Sequence, residues 1–132
     1  MWLAERSKPV RPAAEAELGV TTISGTRAGV MTRGEARDLP VFGPGGCIWM
    51  PENGDTVLVL KGGPGGQEQC VAGREQEEAP AGMLPGEMLL RSGGASVWLR
   101  KDGTILLSGN VAVTGSLTVN GMPWIPLPAA EE

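Results

Sequence analysis

The sequence predicts an all-β protein in two parts: a small N-terminal barrel and a C-terminal intertwined trimeric β-helix, or β-prism. Three observations carry this. Glycines recur every six residues near the C-terminus, at Gly103, Gly109, Gly115 and Gly121, with alternating apolar residues between them. Short apolar runs divided by turn residues fill the region from 17 to 75. After residue 17, no window of 12 residues shows helical apolar spacing without a Gly or Pro. The 21 Gly and 11 Pro of 132 residues approach a low-complexity composition. Because the glycines fall at strand boundaries, they read as turns.

Residues 1–16 carry weak structure signals and two prolines, and read as an extended arm in which Trp2 and Leu3 could clasp a neighbour. From 17 to 75, strands are expected at 18–24, 28–32, 39–42, 47–50, 56–61 and 69–74. Strands this short and closely spaced suggest a small barrel or sandwich. Cys47 and Cys70 fall in two of them and read as small buried strand residues, with a disulfide between them as the alternative. With no CxxC and no histidine in the chain, they do not suit the usual zinc spacings. Residues 76–85 form a Pro-containing linker.

From 86 to 121 the apolar residues come in pairs: Met88/Leu90, Val97/Leu99, Ile105/Leu107, Val111/Val113 and Leu117/Val119. Side chains alternate across a strand, so each pair points one way, while Leu89, Trp98 and Leu106 point the other. The pair centres lie at 89, 98, 106, 112 and 118, so the steps shorten from nine and eight residues to six. This suggests a tapering stack. Five strands give too few coils for a single-chain solenoid, yet their inward residues are all apolar. Three copies around an axis would complete each layer, making a prism roughly 24 Å tall at one strand spacing per layer. The end, residues 122–132, holds three prolines, which argues against a regular ladder there. Three copies of Met122, Trp124, Ile125 and Leu127 would close the prism as an apolar plug.

Composition excludes several functions. A net charge of −4 with scattered basic residues does not suit a nucleic-acid binder. No apolar run approaches a membrane span, and the first residues lack a signal-peptide core. Without histidine, Ser-His-Asp, Cys-His and His-metal chemistries have no base or ligand. The carboxylates Glu52/Asp55 and Glu75/Glu77/Glu78 read as solvated turn and linker residues, not as a glycosidase pair. The Lys61–Gln67 loop lacks the GK[ST] ending of a phosphate loop. No catalytic residue, cofactor, metal or small-molecule substrate is expected.

The motifs in order resemble a known family. Pro51-Glu52-Asn53-Gly54-Asp55, then Val57-Leu58-Val59-Leu60, the Gly-rich 62–66 loop and Val71-Ala72-Gly73 look like the OB-fold barrel of baseplate central-spike proteins. These belong to contractile-tailed phages and related contractile injection systems. The stretch from Gly86-Glu87-Met88 through Asp102-Gly103-Thr104-Ile105 to Gly121 resembles their trimeric β-helix. The resemblance covers about residues 17–121. It implies a homotrimeric structural spike, located in a virion or injection-particle baseplate, that docks through its barrel to a trimeric hub and pierces the target cell envelope. Many such spikes end in a His-x-His iron tip, which a chain without histidine cannot build, and no lysozyme-like insert is present here. Two other functions suit the same pattern less well. An OB-fold module for single-stranded nucleic acid or oligosaccharide would carry exposed aromatic and basic groups on its binding face. A tail-fibre-tip adhesin would carry a larger aromatic-rich terminal domain.

Overall fold

The computed structural model describes residues 16–125, and their fold is all-β. Trp2, Leu3 and Leu127, with the arm and the last residues of the expected plug, lie outside the described residues. The chain divides into two compact units, with the division between Glu77 and Glu78.

The first unit contains β1 (Ala16–Ile23), β2 (Arg27–Met31), β3 (Glu35–Pro40), β4 (Thr56–Gly62) and β5 (Glu68–Arg74). They form one sheet in the order β3-β2-β1-β4-β5, antiparallel throughout. Its two outer strands also meet: Val41 bridges Val71 in parallel, and the Phe42 N–H donates to the Val71 carbonyl at 2.8 Å. Inward residues from every strand but β1 build the core of Ala28, Val30, Leu39, Val57, Val59 and Val71. Strand β1 contributes Gly19 and buried Thr21. At Gly19 a β-carbon would lie 2.4 Å from a Val30 methyl, so only glycine allows this approach of β1 to β2.

Two sequence expectations change here. Strand β3 starts earlier than residue 39, because the polar run Glu35-Ala36-Arg37-Asp38 is part of it. Asp38 takes a positive φ of 58° at a register shift and is held by a two-pronged pair with Arg27, at 2.9 and 3.2 Å. The expected strand at 47–50 is instead an anchored loop. Its turn closes from Cys47 N–H to the Pro44 carbonyl at 2.9 Å. The Trp49 indole N–H donates to the Phe42 carbonyl at 2.9 Å, and its ring packs on the core. Cys47, in this loop, is exposed and Cys70, on β5 opposite Leu60, is half-buried; both are free thiols, not both buried as expected.

The second unit holds β6 (Met88–Ser92), β7 (Ala95–Leu99) and β8 (Ile105–Ser108), an antiparallel meander in that order. Beyond it, β9 (Thr118–Val119) pairs with β10 (Met122–Pro123). No β-helical coil forms within the chain among the described residues, and 111–113, expected as a strand, lies outside any strand. The unequal steps follow from this. Each of the two long steps contains a hairpin turn, Gly93-Gly94 between Ser92 and Ala95, and 100–104 between Leu99 and Ile105. The six-residue steps begin where pairing within the chain stops.

The chain end also differs from expectation. Asn120 and Gly121 both take positive φ, 51° and 77°, the signature of a tight hairpin turn. Pro123 is tolerated because it faces Thr118 between two hydrogen-bonded pairs, where no N–H is required. The ladder continues beyond it, with Trp124 N–H donating to the Leu117 carbonyl at 2.7 Å.

Candidate interaction surfaces

The meander's register assigns every apolar residue to a face. Met88 pairs with Leu99 and Leu99 with Ile105, while Leu90 pairs with Val97 and Val97 with Leu107. Alternation puts these six on one side, together with Ser92 and Ala95. This face bears no charge. Five of the six are exposed: Met88 59%, Leu90 63%, Leu99 40%, Ile105 63% and Leu107 52%.

The opposite face mixes apolar and polar residues. Its row Leu89–Trp98–Leu106 leaves Leu106 40% exposed, while Trp98 at its centre is served by polar groups. The Arg100 guanidinium sits 5.0 Å from the Trp98 ring centroid, a cation–π distance. Glu87 is the fastener. Its Oε1 accepts from Leu84 N–H at 3.0 Å and from the Trp98 indole at 3.2 Å, and its Oε2 accepts from Lys101 N–H at 2.8 Å. The backbone donors of Leu84 and Lys101 hold its carboxyl below the usual glutamate range. Asp102 is likewise lowered, chiefly by the Thr104 N–H at 2.9 Å. That bond shapes the 100–104 turn, in which Gly103 takes φ +88°. The role of Glu87 has no signal in strand patterning, although a carboxylate at a turn before a strand fits capping chemistry of this kind.

The remaining needle residues fall into two groups. Val111 (63% exposed) and Val113 (52%) lie on the unpaired stretch, between Gly109 at φ +113° and Gly115 at φ +119°. Among the described residues, no backbone hydrogen bond involves 110–116. Leu117, Val119, Met122 and Trp124 share one face of the terminal hairpin, by the 119–122 pairing and the 117–124 bond. All four are exposed, as is Ile125 at 80%. The hairpin thus brings together two of the four expected plug residues, Met122 and Trp124, and leaves them uncovered, with Ile125 next in the chain. The sequence signal for it is Asn120-Gly121, a strong short-range hairpin dipeptide.

The first unit carries an apolar surface of its own. Leu18 faces Leu58 across β1 and β4, and Val20 faces Met31 across β1 and β2. With Leu60, these outward residues are 38–70% exposed. Its sequence signal is the run Val57-Leu58-Val59-Leu60, apolar on both faces of one strand. The acidic candidates take structural parts. Glu52 and Asp55 close a turn on each other, with Glu52 N–H donating to Asp55 Oδ2 at 2.8 Å. Arg74 pairs with Glu77 at 2.9 Å and Asp55 at 3.7 Å beside a shallow open recess. Among the described residues no group of His, Cys, Asp or Glu is arranged to hold a metal, and no helix is long and apolar enough to cross a membrane. Compared with known proteins, the chain matches no family model and no curated sequence.

Proposed function

We propose that the protein is a homotrimeric, non-enzymatic central spike at the baseplate of a contractile tail or injection particle. The observation that carries the proposal is the exposed, uncharged face of Met88, Leu90, Val97, Leu99, Ile105 and Leu107. Five of these six side chains are left 40–63% exposed, and covering such a face is favourable by roughly 25 cal/mol per Å² of apolar surface removed from water. Three copies facing one axis cover that surface and form the needle.

The first unit supports the same function. The order β3-β2-β1-β4-β5 with a parallel contact between β3 and β5 is that expected of an OB-fold barrel, as the resemblance implies. Its outward patch of Leu18, Val20, Met31, Leu58 and Leu60 suits docking to a trimeric hub. The mechanism is mechanical: sheath contraction drives the tube, and the needle leads it through the target cell envelope. Light scattering or native mass spectrometry tests the trimer directly. The expected mass is about three times the 13.7 kDa chain, and a folded monomer at micromolar concentration refutes the proposal.

A further inference from the structure

We infer that residues 80–87 are a folded strut latched to the second unit by Glu87, so that the chain joining the two units has only Glu78 and Ala79 as its free joint. The strut stands on bonds made within each unit. Its mechanical role rests on the function proposed above.

Two sets of bonds lead to it, one on each side of the division between Glu77 and Glu78. On the first unit's side, the Glu75 N–H donates to the Thr56 carbonyl at 2.9 Å, which carries the pairing of β5 with β4 one residue past Arg74. Arg74 in turn holds Glu77 at 2.9 Å. On the second unit's side, two turns follow one another. Met83 N–H donates to the Pro80 carbonyl at 3.2 Å, and Glu87 N–H to the Leu84 carbonyl at 3.1 Å. Gly82 and Gly86 stand third in these turns at φ +86° and +90°, as a type II turn requires, and Pro85 takes the second position that type II favours.

Glu87 is the positioning residue of this strut. Its Oε1 accepts from Leu84 N–H, closing the second turn a second time, while its Oε2 accepts from Lys101 N–H in the turn between β7 and β8. Gly86 is seated against that same turn, since a β-carbon there would lie 3.1 Å from Lys101 Cε. Between the two fastened ends, Glu78 and Ala79 enter no hydrogen bond or ion pair among the described residues. Even there the chain is restricted. A residue before proline, as Ala79 is, keeps to extended conformations, and Pro80 fixes its own φ.

Reach decides what the stretch can do. Ten free residues, 76–85, would span roughly 35 Å when extended, whereas two span roughly 7 Å. A tether passes a load only after its slack is taken up. In a spike driven at its barrel, the short joint passes the push to the needle after little travel.

The test uses the full chain. In hydrogen exchange, the Leu84 and Lys101 amides are expected to be protected at least about tenfold by their charged acceptor. Glu87→Gln is expected to remove that protection while the amides of β7 keep most of theirs. Thermolysin, which cuts before apolar residues such as Met83 and Leu84, is expected to spare this stretch in the native chain and to cut it in Glu87→Gln. Unprotected Leu84 and Lys101 amides, or rapid cutting of the native chain at Met83 or Leu84, overturns the strut, and this measurement decides even if the variant fails to fold. Protection lost equally from the strut and from β7 overturns the role of Glu87 as its latch. A monomeric mass with the strut protected refutes the trimer and leaves the strut standing.

Discussion

Replacing Leu107 by Asp separates a surface residue from one at a trimer axis. Leu107 and Ser108 are neighbours on β8 and both exposed in the single chain. As isolated surface positions, both would accept Asp within about 0.5 kcal/mol. In the trimer they differ, because Leu107 lies on the uncharged face turned to the axis while Ser108 lies on the opposite face, beside Ser96. Half of Leu107 remains to be covered, 52% by area. At about 1.5–3 kcal/mol for a fully buried aliphatic side chain, the apolar burial lost is worth about 1–1.5 kcal/mol per chain. Charge costs more: three carboxylates taken out of water are unfavourable by several kcal/mol each and repel one another. The total, on the order of 10 kcal/mol or more per trimer, is comparable to the whole net stability of an ordinary domain. Size-exclusion chromatography with light scattering and thermal melting should show Leu107→Asp unable to assemble and Ser108→Asp a trimer with near-normal melting. Two variants that assemble and melt alike would refute the assignment of this face to the axis.

Two further predictions concern the turns. Glu87 and Asp102 have lowered pKa values, so they contribute stability that is present above their unfolded values and lost as pH falls through the folded ones. Melting of the second unit should therefore be flat above about pH 5 and decline below about pH 4, and Glu87→Gln should lower the melting temperature at pH 7 while flattening that decline. In the terminal hairpin, Gly121→Val forces a branched residue to φ near +77°, costing about 1–2 kcal/mol per chain. Asn120→Gly keeps the turn, so calorimetry should separate the two variants.

Alternation and turn chemistry mark structure locally, and whatever they mark is legible in the sequence. Val57 and Val59 read as strand interior, and the pairs from Met88/Leu90 to Ile105/Leu107 read onto one face, as the register places them. Three features escape because other forces set them. The polar run Arg37-Asp38 enters β3 through a bulge fixed by Arg27. Residues 47–50 look like a strand by composition, but the Trp49 indole ties them into a loop. Pro123 reads as a ladder breaker until its register puts it where no N–H is needed. Glu87 escapes for a different reason: its partners, Leu84, Trp98 and Lys101, lie up to 14 residues away, and no short-range pattern encodes that meeting.

The spacing of the apolar pairs contains more than their phase. A step of eight or nine residues leaves room for a turn that folds a strand back on its own chain, and β6, β7 and β8 do so. A step of six leaves three residues between apolar pairs, too few for such a turn, and beyond Gly109, at φ +113°, residues 110–116 lie outside any strand and show no backbone hydrogen bond among the described residues. The apolar spacing thus persists from Met88 to Val119 while pairing of the meander with itself ends at β8. Side-chain phase alone suggests one uniform prism; phase combined with spacing separates the stretch that folds back on its own chain from the stretch that does not. That second stretch and the hairpin after it leave Val111, Val113, Leu117, Val119, Met122 and Trp124 between 43% and 68% exposed, so a trimer that covers only the sheet face would leave this apolar surface in water, and the proposed axis has to extend along it.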